Sequence, residues 1–215
     1  MNITIWSDFV CPFCYIGATN LNAALADFEH SDDVTIEYKS FQLDPNAEYD
    51  PEVSYVEGLA RDKGTTPEVM EQSFSQISEM AKEAGLEYNF ETLKNGNTLD
   101  AHRVFQYANE QDKGVEFYER LYYAIFTEGE LISDHKTITR LAGEVGLDTE
   151  EVTAILADEG RNKDAVNEDV TNAVQVGAQG VPFFVFNNKY SLSGAQPKEV
   201  FGQALTQIYN DTLEE

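Results

Sequence analysis

Asn2-Ile3-Thr4-Ile5-Trp6-Ser7-Asp8-Phe9-Val10-Cys11-Pro12-Phe13-Cys14-Tyr15-Ile16-Gly17 is the stretch that decides the fold. Residues 2–6 alternate polar and apolar, the two-residue period of a strand. Ser7-Asp8 break the alternation. From Cys11 to Phe28 the period changes, and Ile16, Leu21, Ala24, Leu25 and Phe28 recur on one side of a helix. Residues 34–41 alternate again. The first forty residues therefore read strand–helix–strand, a crossover that usually joins parallel strands.

A turn-rich patch follows, from Asp44-Pro45-Asn46-Ala47 to Asp50-Pro51. From about 52 to 177 the pattern is helical, with loop signals between segments. Thr65-Thr66-Pro67-Glu68 opens one helix with proline in its first turn, and Gly85 closes it. Further helices are expected over 100–109 and 114–126, from Asp134-His135 to Gly143 or Gly146, after the Asp148 cap, and over 161–176. Residues 181–186, Val-Pro-Phe-Phe-Val-Phe, are a short apolar run. Asn187-Asn188 tolerates positive φ, and Lys189 to Ser193 alternate as a returning strand. A last helix spans about 197–211. Set aside the helical block, and the order is that of a thioredoxin fold less one strand. The expectation is an α/β protein: a central mixed β-sheet flanked by helices, carrying a large all-helical insertion. Its discontinuous thioredoxin-like domain takes residues 1–50 and 178–215, and the insertion takes 51–177. A block of this length is too long for a structureless loop.

The bulk composition narrows the function. The chain has 215 residues, 42% hydrophobic, with 13 Phe and 11 Tyr to pack a core. No segment approaches the ~20 apolar residues that span a bilayer, so no membrane partner is expected. MNITIWSDFV shows no basic n-region, long apolar stretch or cleavage site, and the cytoplasm is the expected compartment. Against 39 acidic residues stand 14 basic ones, a net charge of −25. That charge repels a phosphate backbone and argues against nucleic acid. The two cysteines and three scattered histidines (His30, His102, His135) offer no second ligand pair at metal spacing, so no metal is expected. His30 and His135 are read as surface or capping residues.

Cys11 and Cys14 lie three apart at a strand-to-helix junction. That spacing puts both on one helical face, where their sulfurs can meet as a disulfide. The unpaired N–H groups and positive helix end favour a thiolate on Cys11, as nucleophile and as leaving group. Pro12 fits the first helical turn without losing a needed hydrogen bond. Cys14, deeper in the helix, becomes the resolving thiol. Half a zinc site or two packing cysteines is the competing reading; the strand before, the helix after and the proline within weigh against it. Val181-Pro182 is the second clue. Proline opening a strand marks either an ordinary trans bond at an edge or a cis bond. Beside a cysteine pair, the cis form that faces the pair in thioredoxin folds is favoured.

These residues carry a resemblance. Residues 7–17 resemble the opening motif of DsbA-family oxidoreductases of the FrnE-like branch. Asn97-Thr98-Leu99-Asp100-Ala101-His102-Arg103 is similar to that branch's helical-insert motif. Residues 177–186 and Ser193-Gly194-Ala195-Gln196 resemble its cis-Pro strand and the turn before its last helix. The resemblance implies oxidation, reduction or isomerisation of protein disulfides. Cys11 would be the nucleophile, Cys14 its resolving partner in a redox disulfide, and Val181-Pro182 the cis-Pro pair. No bound cofactor is implied; glutathione or another thiol would be the redox partner, and thiol- or disulfide-containing proteins the substrates, for a monomer or homodimer. Relatives often carry Trp where this chain has Phe13, and the periplasmic ones carry His. Phe offers neither hydrogen bond nor charge, so strongly oxidising character is not carried over.

In related glutathione-using isomerases and kappa-class transferases, serine replaces the first cysteine, and the region matching 97–103 lies near the substrate pocket. Asn97, His102 or Arg103 could thus approach the site. The structural alternative is a helix start capped by Asn97 or Thr98, with Arg103 in an ion pair. Two other functions stay open: a glutathione-dependent isomerase or transferase of small molecules, and a redox-inert module that holds extended peptides.

Overall fold

The computed structural model describes Met1–Leu213. The chain divides into two compact units. One takes Met1–Leu43 and the chain from Asp169 onward, and the other takes Asp44–Glu168.

The first unit is built on a four-stranded mixed sheet. Its strands are β1 (Asn2–Ser7), β2 (Thr35–Ser40), β3 (Phe183–Phe186) and β4 (Tyr190–Ser193), in the order β2-β1-β3-β4. The crossover helix is α1 (Pro12–Ala26), and β1 and β2 pair parallel as the first forty residues suggested. β3 runs antiparallel to both its neighbours. Its four residues are all buried, which accounts for an unbroken apolar run where a half-exposed strand would alternate. Register pairs Ile3 with Phe186 and Ile5 with Phe184. Those four side chains point to one face, where Phe184 meets Phe201 edge-on with ring centroids 4.9 Å apart. Phe201 lies on the last helix (Lys198–Leu213), which packs beside α1. The opposite face buries Trp6, Phe183 and Val185 against Ala173. Asn187 and Asn188 both have positive φ, 50° and 55°, and close the β3–β4 hairpin in the twist its strands require.

The second unit is helical. In chain order come α2 (Tyr55–Asp62), α3 (Pro67–Glu83), α4 (Leu99–Glu110), α5 (Gly114–Phe126), α6 (His135–Glu144) and α7 (Thr149–Ala157). The next helix, α8 (Lys163–Gln175), carries the chain across the boundary between the units; the helix after the hairpin is α9. Local signals set most helix starts. Thr66, Asp134 and Asp148 accept hydrogen bonds from first-turn N–H groups, as N-caps do. Gly85, at φ +81°, ends α3, and Leu86 N–H closes back on Ala81 O at 2.8 Å. Aromatic rings dominate the core of this unit; Phe74 and Phe90 stack at 4.3 Å, and Tyr122 and Phe126 are fully buried. α2 is short, eight residues, and follows directly on the turn-rich patch. Its signal is the capping box Ser54-x-x-Glu57, present in both directions.

Candidate active site

β1 ends at Ser7, and a tight turn follows in which Cys11 N–H donates to Asp8 O at 3.0 Å. The turn delivers Cys11 to the N-cap position of α1, in extended conformation, with Pro12 as the first helical residue. Cys14 N–H donates back to Cys11 O at 3.1 Å. The two thiols lie 3.4 Å apart, both buried, with Cys11 4% exposed and Cys14 fully enclosed. Phe13, between them, is 37% exposed and is the most solvent-exposed residue of the motif.

Burial pushes the Cys14 thiol well above its ordinary range. The hydrogen bond with Cys11 and the charge of Cys11 push it the same way. A hydrogen bond from the Asp8 backbone opposes them, and the negative charge of Asp8 adds to the rise. Asp8 is itself buried, and its carboxylate accepts from Leu43 N–H at 2.7 Å. In the sequence Asp8 only breaks the strand alternation; an acid three residues before Cys11 is the signal that marks it.

The facing loop comes from the far end of the chain. The Val181–Pro182 bond is cis, and Val181 O lies 3.7 Å from Cys11 Sγ, within reach of an S–H donor. Pro182 O accepts from Gly194 N–H at 2.9 Å, which ties the loop to the turn after β4. Cys11, Pro12, Phe13, Cys14, Val181 and Pro182 thus belong to one unit, and the two sulfurs and the Val181 carbonyl form one cluster. Trp6 Nε1 donates to Asp169 O at 2.9 Å on the sheet face that carries Phe183.

Asn97, His102 and Arg103 belong to the other unit. Asn97 accepts from Leu99 N–H at 2.9 Å and donates to Pro45 O at 2.7 Å. Thr98 occupies the N-cap position of α4 without a side-chain cap bond, so the capping oxygen is that of Asn97. Arg103 is buried and spends its guanidinium on protein partners. It pairs with Asp100 at 2.6 Å and donates to Arg161 O at 2.7 Å and to the carbonyls of Ile155 and Asp158. His102 is buried within the same helix. His135 bonds Asp100 at 2.7 Å, and His30 stacks on Tyr209 at 4.1 Å. Among the described residues, no group of three or more His, Cys, Asp or Glu side chains is placed to hold a metal ion. No described helix is long and apolar enough to cross a membrane.

The chain is 31% identical over 209 residues to the uncharacterized protein YwbO of Bacillus subtilis (strain 168), covering 96% of each. It superposes on the crystal structure of the probable DsbA oxidoreductase SCO1869 of Streptomyces coelicolor with a TM-score of 0.92 and 37% identity, covering 98% of this chain and 90% of that one. The cytosolic disulfide reductase DsbM of Pseudomonas aeruginosa, solved with GSH, shares the fold at a TM-score of 0.67 and 16% identity, over 97% of this chain and all of that one (100%). The family model for the DSBA-like thioredoxin domain matches residues 2–206, and the chain belongs to that family.

Proposed function

We propose that the chain is a thiol–disulfide oxidoreductase working through Cys11 and Cys14. The observation that carries this is the cluster of two free thiols 3.4 Å apart at a helix start, with Val181 O 3.7 Å from the outer one. Cys11, at the N-cap, is the nucleophile. Its thiolate attacks one sulfur of a substrate disulfide, forms a mixed disulfide and releases the other sulfur as a thiolate. Cys14 then gives up its proton and attacks Cys11 Sγ. The Cys11–Cys14 bond forms, the second substrate thiolate leaves, and two electrons have passed to the substrate. Two equivalents of a thiol such as glutathione restore the pair and leave as their own disulfide. The glutathione named with the DsbM structure supports that choice of reductant. Asn97 and Arg103 are read as scaffold, since their polar atoms are engaged within their own unit. A reducing compartment favours reduction or isomerisation over net oxidation.

The test is turbidimetric reduction of insulin with glutathione or dithiothreitol as electron source. Wild type accelerates it, Cys11→Ser abolishes the acceleration, and Cys14→Ser accumulates a mixed disulfide visible by mass spectrometry. Acceleration that survives in Cys11→Ser removes the reading.

A further inference from the structure

Gly17 sits three residues after Cys14, on the same face of α1. Glycine in a helix interior is a poor choice on propensity alone, since alanine is the better helix former there. The surroundings supply a reason. A Cβ built on Gly17 would lie 3.1 Å from Phe184 Cζ, 3.2 Å from Pro182 Cγ and 3.4 Å from Ala195 Cα. The first two contacts are tighter than most packed carbon atoms make, so a neighbour would have to give by a few tenths of an ångström. The helix that carries both cysteines is therefore seated directly on the proline ring of the facing loop, with nothing between.

None of the three neighbours is placed to yield. Phe184 is fully buried and locked against Phe201. Pro182 is tied through its carbonyl to Gly194 N–H. The backbone around Ala195 is held to α1 from the other side, where Asn20 Nδ2 donates to Gln196 O at 2.9 Å. Asn20 is one further turn along the same face, so a seam of Cys14, Gly17 and Asn20 runs along the loops that carry Pro182 and Gln196. Widening that seam at Gly17 displaces the cysteine-bearing end of α1 from the Val181–Pro182 loop.

We infer that Gly17 is a positioning residue: the absence of its side chain sets the separation between Cys11 Sγ and the Val181 carbonyl. The inference rests on the oxidoreductase reading only for its consequence in turnover, because the separation can be probed without turnover. The test compares Gly17→Ala with Gly202→Ala, a helix glycine in α9 whose Cβ would meet nothing within 4 Å. The first readout is the pH profile of Cys11 alkylation by iodoacetamide, followed by mass spectrometry on the reduced protein. The second is kcat/KM for insulin reduction.

Gly17→Ala is expected to fold with a wild-type circular dichroism spectrum and to show a displaced alkylation profile. Its kcat/KM should fall about tenfold, less than the roughly hundredfold that a full 1 Å misplacement can cost. Gly202→Ala should match wild type in both. An alkylation profile for Gly17→Ala that coincides with that of Gly202→Ala overturns the inference. If Gly17→Ala does not fold, Gly17→Ala/Phe184→Leu is read against Phe184→Leu alone. The shorter side chain relieves the 3.1 Å contact and leaves the Pro182 contact at 3.2 Å. The profiles of those two should still differ, and identical profiles overturn the inference. A wild type inactive on insulin defeats the proposed function, while the alkylation readout still decides the role of Gly17.

Discussion

Cys14 links the proposed chemistry to the stability of the fold. Its thiol is held protonated by burial first, then by its bond to Cys11. In the proposed cycle, attack on the mixed disulfide needs the thiolate, which makes resolution the pH-sensitive step. The lifetime of the mixed disulfide should shorten steadily as pH rises from 7 to about 9; stopped-flow quenching with mass analysis measures it. The same shift has a thermodynamic sign. The folded-state pKa lies above the ordinary value near 9.0, so above that value the unfolded chain holds fewer protons than the native one. The stabilisation is complete below the unfolded pKa and is lost as pH climbs towards the folded one. Urea titrations of the reduced protein should therefore show stability falling above about pH 9, by up to roughly 1.4 kcal/mol per pH unit. The oxidised form, with no thiol to titrate, should lack that slope.

At the scale of elements, the β3–β4 hairpin and the Arg103 node invite separate tests. Asn187 and Asn188 occupy the left-handed region, where β-branched residues are strained. Asn188→Val should cost about 1–2 kcal/mol in chemical denaturation. Arg103→Met leaves Asp100 without its buried partner and strips a donor from the carbonyls of Ile155, Asp158 and Arg161. A loss of about 3–5 kcal/mol is expected, with the Cys11–Cys14 equilibrium against glutathione unchanged in the folded fraction. A changed equilibrium would return Arg103 to the chemistry.

Most elements were legible in the sequence because each carries its own period or cap. β2, α3 and α7 are examples, with alternation, Thr66-Pro67 and Asp148 as their respective marks. α2 was not resolved individually, since it is only eight residues long and follows directly on a turn-rich patch; its capping box is the clearest local mark. Domain limits at 50 and 178 remain a proposal drawn from the change of periodicity; the compact units divide at 43/44 and 168/169, the second point lying inside α8, where no turn or breaker announces it. In the site, the cysteine pair and Val181-Pro182 could be read from motif and position. Gly17 against Pro182 could not, because contacts between distant elements leave no periodic trace in a chain.

For the molecule as a whole, charge is the dominant feature. A net charge of −25 makes the folded state repel itself at low ionic strength. Thermal midpoints should rise by several degrees between dilute buffer and physiological salt, where screening sets in at about 8 Å. Differential scanning calorimetry across a salt series checks this, and a flat response would mean that repulsion among the acidic residues costs the folded state little. Trp6, the one tryptophan, is buried on the sheet face beside Phe183. It provides an intrinsic signal for unfolding in all of these experiments.

The Cys11 thiol and the Val181 carbonyl are 170 residues apart in sequence. On the ribosome, then, Cys11 and Cys14 emerge well before the Val181 carbonyl that faces them. Until β3 is synthesised, β1 lacks its second neighbour and the cysteines have no roof. Nascent chains stalled before residue 181 would carry a dithiol open to any passing oxidant or metal, and translation speed through the helical block sets how long that exposure lasts.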